Sequence, residues 1–181
     1  NYSETLFVEN YMDKASAEKY IIGIRGNIRN DEPIIAPYGV AKSGSSDMYY
    51  KGANMIHTIR QIINNDDKFR QILRGLNKDF YHQTVTTQQV EKYMNEKSGL
   101  DFSTVFDQYL RTTQIPTLQY SQSGNILKFR YDAAIKNLKL PIRFNGSQEI
   151  SPTEKWQTVK LSSSNPVKFD ENYYIYYSEQ K

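Results

Sequence analysis

The stretch Asp47-Met48-Tyr49-Tyr50-Lys51-Gly52-Ala53-Asn54-Met55-Ile56-His57-Thr58-Ile59-Arg60 decides how this chain is read. Met48, Met55, Ile56 and Ile59, continued by Ile62 and Ile63, recur at helical spacing and form a broad apolar stripe. Ser46 or Asp47 is placed to cap the helix start, and Asn64-Asn65 stops it. Before it lies a long connection, 33–46, that holds Pro33, Pro37, Gly39, Gly44 and three serines. Loops of that length inside a folded domain tend to carry function.

Outward from this helix the pattern stays helical in both directions. Leu6, Phe7 and Tyr11 share one face upstream, and Tyr20, Ile21 and Ile24 share another after Asp13-Lys14. Downstream, Asp66 is expected to cap a helix with the stripe Phe69, Ile72, Leu73, Leu76 and Phe80. Thr86 with Gln89 has the spacing of a capping box, and Gly99 suits the left-handed residue that closes a helix. Asp101 is expected to cap a last helix burying Phe102, Val105, Phe106, Tyr109 and Leu110.

Near Pro116 the period falls from 3.6 to 2. Leu118 and Tyr120, then Leu127, Phe129 and Tyr131 alternate about a Gly124-Asn125 turn. Leu138, Leu140, Ile142 and Phe144 predict a third strand, followed by the turn pair Asn145-Gly146. Further strands are expected from Trp156 to Leu161 and over 173–177. The fold class is therefore α+β: a helical lobe, 1–114, followed by a small antiparallel β-sandwich, 115–181.

Composition narrows the function classes. The 181 residues carry a formal charge of only +3, with basic residues mixed among acidic ones. Nucleic-acid binders concentrate that charge in a stripe, so nucleic acid is not an expected partner. No cysteine is present, which removes disulfides and thiolate metal sites. No apolar run reaches the roughly 18–20 residues that a membrane span needs. The opening Asn1-Tyr2-Ser3-Glu4 reads as an internal cut or a processed end.

Chemistry-bearing motifs are few. His57 and His82 are the two histidines. His57 sits within the apolar pattern and reads as a hydrogen-bonded structural residue, while His82 reads as a helix-end cap. Gly39-Val40-Ala41-Lys42-Ser43-Gly44 lacks the order of a phosphate loop, and no nucleophile elbow occurs. Tyr49 and Tyr50 stand at a helix start after a flexible loop. A phenol there is protonated at neutral pH and can donate to a developing oxyanion. Taken alone, packing is the default role for both.

Tyr49-x-Lys51-Gly52-Ala53, with Met55-Ile56-His57-Thr58-Ile59-Arg60 after it, resembles the Tyr-x-Lys-Gly-Ala helix of M1 (aminopeptidase N-like) zinc aminopeptidases. In the same order, 81–87, Ser98-Gly99-Leu100-Asp101, 106–110 and Pro116-Thr117-Leu118 resemble later stretches of that family. The resemblance covers most of 1–120, and the end, 169–177, is similar to the closing strand of the family's β-sandwich.

It implies the C-terminal part of a thermolysin-like catalytic domain plus that sandwich. Zinc would be held by an HExxH helix and a downstream Glu. The HExxH Glu would act as general base, and a tyrosine hydroxyl would stabilise the tetrahedral oxyanion. By the motif, Tyr49 is that catalytic tyrosine, Tyr50 fills a variable packing position, and Lys51 and Gly52 position the helix. HExxH and the amine-gripping motif are absent. The resemblance places the Glu ligand just upstream of Asn1, so no metal ligand is expected within 1–181 and Glu4 is expected to be structural. The implied partners are a peptide substrate and the N-terminal part of the same parent protein, and residues 1–181 alone are expected to be inactive. A non-catalytic M1-like scaffold or peptide-binding module is the alternative.

Overall fold

The residues around the quoted stretch form the centre of the molecule. The computed structural model describes residues 1–180. Six helices come first: α1 (Tyr2–Tyr11), α2 (Lys14–Gly23), α3 (Tyr50–Ile63), α4 (Asp66–Asp79), α5 (Thr87–Ser98) and α6 (Ser103–Leu110). Among the described residues none is long and apolar enough to cross a membrane.

Helix boundaries follow local chemistry. Asn64 closes α3 in the left-handed region at φ 48°, and the Asn65 side chain opens α4 by accepting from Lys68 N at 2.9 Å. Asp66 therefore lies inside the first turn and is not the cap. Thr86 and Gln89 form the reciprocal capping box, and Gly99 ends α5 at φ 71°. The Asp101 carboxylate accepts from Ser103 N at 3.0 Å.

Strands β1 (Thr117–Ser123), β2 (Ile126–Asp132), β5 (Gln157–Lys160) and β6 (Tyr176–Glu179) form one sheet in the order β5-β2-β1-β6. A separate two-stranded ribbon pairs β3 (Ile142–Phe144) with β4 (Gln148–Ile150). Asn145 and Gly146, both at positive φ, turn the ribbon. The architecture is α+β. One feature departs from the antiparallel expectation: β6 runs parallel to β1.

The reason lies in the chain path. Both strands leave from the helical lobe, β1 after α6 and β6 after residues 173–175, which are buried. There Tyr174 N donates to Thr58 Oγ1 at 3.0 Å, and the Tyr109 hydroxyl donates to the Tyr174 carbonyl. The expected strand over 173–177 accordingly pairs later, from Tyr176, because its first residues are committed to helices. Likewise Leu138 and Leu140 are buried but unpaired as strand, and the Tyr131 hydroxyl binds the Leu140 carbonyl at 2.9 Å.

The switch from helix to strand falls between Leu110 and Thr117. Packing does not divide there. One apolar cluster includes Met55, Ile59 and Phe106 from the helices and Leu118, Leu127 and Ile142 from the strands. Residues 1–181 should therefore unfold in one transition, with far-ultraviolet dichroism of the helices and fluorescence of the single Trp156 coinciding. Tyr109→Phe, which orphans the buried Tyr174 carbonyl, should lower stability by about 1–3 kcal/mol on both probes. Two separate transitions would show two independent domains.

Candidate functional site

A 3-10 turn, Ser46–Met48, leads into α3. Its cap is Ser45, whose Oγ accepts from Asp47 N at 3.1 Å. Asp47, expected as a helix cap, turns inward and is buried. Its two carboxylate oxygens accept from Arg29 N at 2.9 Å and Asn30 N at 2.6 Å. Tyr49 is the junction between the turn and α3. Its N–H donates to Ser46 O at 3.2 Å and its carbonyl accepts from Ala53 N at 3.0 Å.

The Tyr49 side chain is 52% exposed. It borders an open pocket of about 300 Å³, lined also by Asn1, Tyr2, Met48, Gly52 and Ile56. The structure thus brings the first residues of α1 to the same pocket as Tyr49. Tyr50 is half-buried beside it. Lys51 is wholly buried and its Nζ donates to the Thr112 carbonyl at 2.8 Å. Burial lowers the Lys51 pKa, and the charge of Asp47 acts in the opposite sense. A Cβ added at Gly52 would meet nothing within 4 Å, so this glycine leaves open space at the pocket.

His57 is buried in a polar cluster. Its Nδ1 lies 3.2 Å from the Tyr2 hydroxyl and its Nε2 3.0 Å from Asn172 Oδ1. Nε2 also lies 3.2 Å from the Gln61 amide nitrogen, so the ring is met on both nitrogens by polar side chains. Burial, reinforced by the charges of Arg60 and Arg25, pushes the His57 pKa down to about 4 although Asn172 works against it. Burial also pushes the Tyr2 phenol up to about 12. His82 is exposed, at φ 53°, with its ring edge-on to Tyr81. Glu4 accepts from the Tyr20 hydroxyl at 2.8 Å. Among the described residues no group of three or more His, Cys, Asp or Glu side chains could hold a metal. These described residues do not fit a zinc site.

Sequence reasoning missed the polar anchors. Arg60, buried on α3, binds Glu9 through both terminal nitrogens and Asp66 through Nε at 2.8 Å. Burial opposes the Arg60 charge, but the bonds to Glu9 and Asp66 outweigh it and raise its pKa. The same bonds hold both carboxyls below their usual range. Arg143 on β3 reaches Gln61, Asn64 and Asp170. Apart from the short Arg60–Asp66 span, these partners are far apart in sequence, and no local signal announces them.

No protein-family model matches the chain, and no curated protein matches it. Among solved structures it is similar to Legionella pneumophila aminopeptidase A, crystallised in complex with aspartic acid. The TM-score is 0.53 at 15% sequence identity, over 91% of this chain. It shares its fold with part of an aminopeptidase. The likeness is one of fold, and the chain spans 23% of that aminopeptidase's length.

The His57 cluster sets a pH dependence. The folded pKa lies below that of an unfolded histidine, so the unfolded chain takes the proton first. Stability is full above about pH 6.5 and should fall as pH drops toward 4, by on the order of 3 kcal/mol in all. The low-lying Glu9 and Asp66 carboxyls lose their contribution only at lower pH. Melting temperatures at pH 7.5 and 4.5 should differ clearly for the native chain and much less for His57→Gln. Gly52→Ala should raise stability by about 0.5–1 kcal/mol, because the glycine is helical, unstrained and open on its Cβ side. Denaturant titration checks this, and a loss of stability would show that the space at Gly52 is occupied.

Proposed function

We propose that residues 1–181 are the part of a zinc-dependent aminopeptidase that supplies its oxyanion-stabilising hydroxyl, Tyr49. The observation that carries this is the mounting of Tyr49. A half-exposed phenol stands at a helix start, between two buried charged residues, and faces an open pocket. The ordered motif resemblance and the likeness in fold to an aminopeptidase support the same reading.

Addition of water to a scissile carbonyl, with one water proton taken up by a general base, converts the carbonyl oxygen to an oxyanion. The Tyr49 hydroxyl donates a hydrogen bond to that oxygen and bonds it more strongly as charge develops. Preference for the tetrahedral state over the flat carbonyl is what accelerates the step. Zinc, on this reading, is bound by residues outside 1–181, as the motif resemblance implies. The peptide is the substrate, and its N-terminal grip also lies outside.

The test uses the complete protein that carries these residues. Tyr49→Phe should lower kcat on an aminoacyl-anilide by about 10²–10³-fold, the loss expected for one oxyanion donor. Zinc content, read by atomic emission, should stay unchanged. An unaltered kcat removes Tyr49 from the mechanism.

A further inference from the structure

Two residues before Tyr49, a buried carboxylate is spent entirely on backbone. Asp47 is 1% exposed, yet its oxygens accept from no side chain; they take the N–H groups of Arg29 and Asn30. Burying a carboxylate is costly unless it is hydrogen-bonded, and a neutral turn residue would serve an ordinary loop. Asn30 lies at φ 51°, so its N–H is presented by a backbone shape that side chains other than glycine adopt sparingly. Ser45 completes the clasp, accepting from Asp47 N and donating to Asp31 Oδ1 at 3.0 Å. Two residues after Tyr49, Lys51 is tied to the Thr112 carbonyl. Tyr49 is thus held on both sides by buried charged groups, while its own side chain is left half-exposed at the pocket.

We propose that Asp47 is a positioning residue for Tyr49, clasping the 29–31 segment so that the Tyr49 turn enters α3 at one fixed point. This rests on the reading of Tyr49 as the oxyanion donor. Asparagine keeps the shape of Asp47 but turns an amide N–H₂ toward one of the two backbone donors, so one bond is replaced by a repulsive contact. The turn then shifts, and a donor displaced by a fraction of an ångström loses most of its effect.

A double-mutant cycle in the complete protein tests it. Asp47→Asn should lower kcat by about 10–10²-fold, with KM and zinc content little changed, as a small misplacement of a reacting group does. In a Tyr49→Phe background the same change should cost less than about threefold, because residues acting through one group are not additive. An equal loss on both backgrounds would mark general damage to the fold and overturn the positioning role, as would no loss in the native background. If Asp47→Asn does not fold, Ser45→Ala, which removes both hydroxyl bonds of the clasp, should show the same non-additivity at about three- to tenfold. Additive behaviour there overturns the proposal equally. A Tyr49→Phe variant that retains full kcat defeats the oxyanion reading itself, and with it this role for Asp47.

Discussion

Helix α3 is buried on nearly every side while carrying Lys51, Asn54, His57, Thr58, Arg60 and Gln61. Each such group left unmet would cost about 1–3 kcal/mol, and more for a charge. Partners are drawn from all around. Arg25 after α2 donates to Asn54 at 2.7 Å, Tyr2 of α1 and Asn172 flank His57, and Tyr174 N binds Thr58. Glu9 and Asp66 take Arg60, and Arg143 of β3 takes Gln61. Apolar contacts would tolerate small slides of these elements. A connected polar network does not, because a shift that improves one bond breaks another.

That requirement explains why the two halves are not separate bodies. The segment 172–174 belongs by sequence to the strand region, yet its polar groups are committed to α3 and α6 before β6 begins. The parallel pairing of β6 with β1 follows, since both strands start from the same helical surface. Phe169 then joins the sheets, its ring 5.0 Å from those of Tyr120 and Tyr177 and 6.4 Å from that of Phe144.

What the sequence made legible was what is decided within a few residues. The Thr86–Gln89 box, the Gly99 stop and the Asn145-Gly146 turn are each complete in themselves, and the structure holds all three. Asp47 was misread for the opposite reason: its partners lie 17 and 18 residues away, so the cap that its position suggested is made by Ser45. The apolar stripe found α3 but understated its burial, because Asn54, Thr58 and Gln61 look like a solvent face until their distant partners are known. Strand β4 carries a single buried apolar residue, Ile150, and offers no alternation to read. Tyr49 was picked out by a motif resemblance. Its neighbours at the pocket, Asn1, Tyr2 and Met48, come from chain segments brought together only by folding.

Exposure by itself does not set Tyr49 apart, because Tyr11, Tyr38, Tyr81 and Tyr176 are as exposed or more so. Backbone mounting does. Tyr11 is the last residue of α1, its ring stacked on that of Phe7, Tyr38 lies in the connection between prolines and glycines, and Tyr81 follows the end of α4. Ordering an exposed phenol against a reacting group costs conformational entropy unless the backbone already fixes it. Tyr176 is on a strand, β6, at the edge of the four-stranded sheet. At Tyr49 a helix start, with Asp47 bonded on one side and Lys51 on the other, coincides with open space bounded by Gly52. Catalysis by a hydrogen-bond donor requires that combination, since the ordering must be complete before charge develops. Packing requires neither the fixed mount nor the empty space beside it.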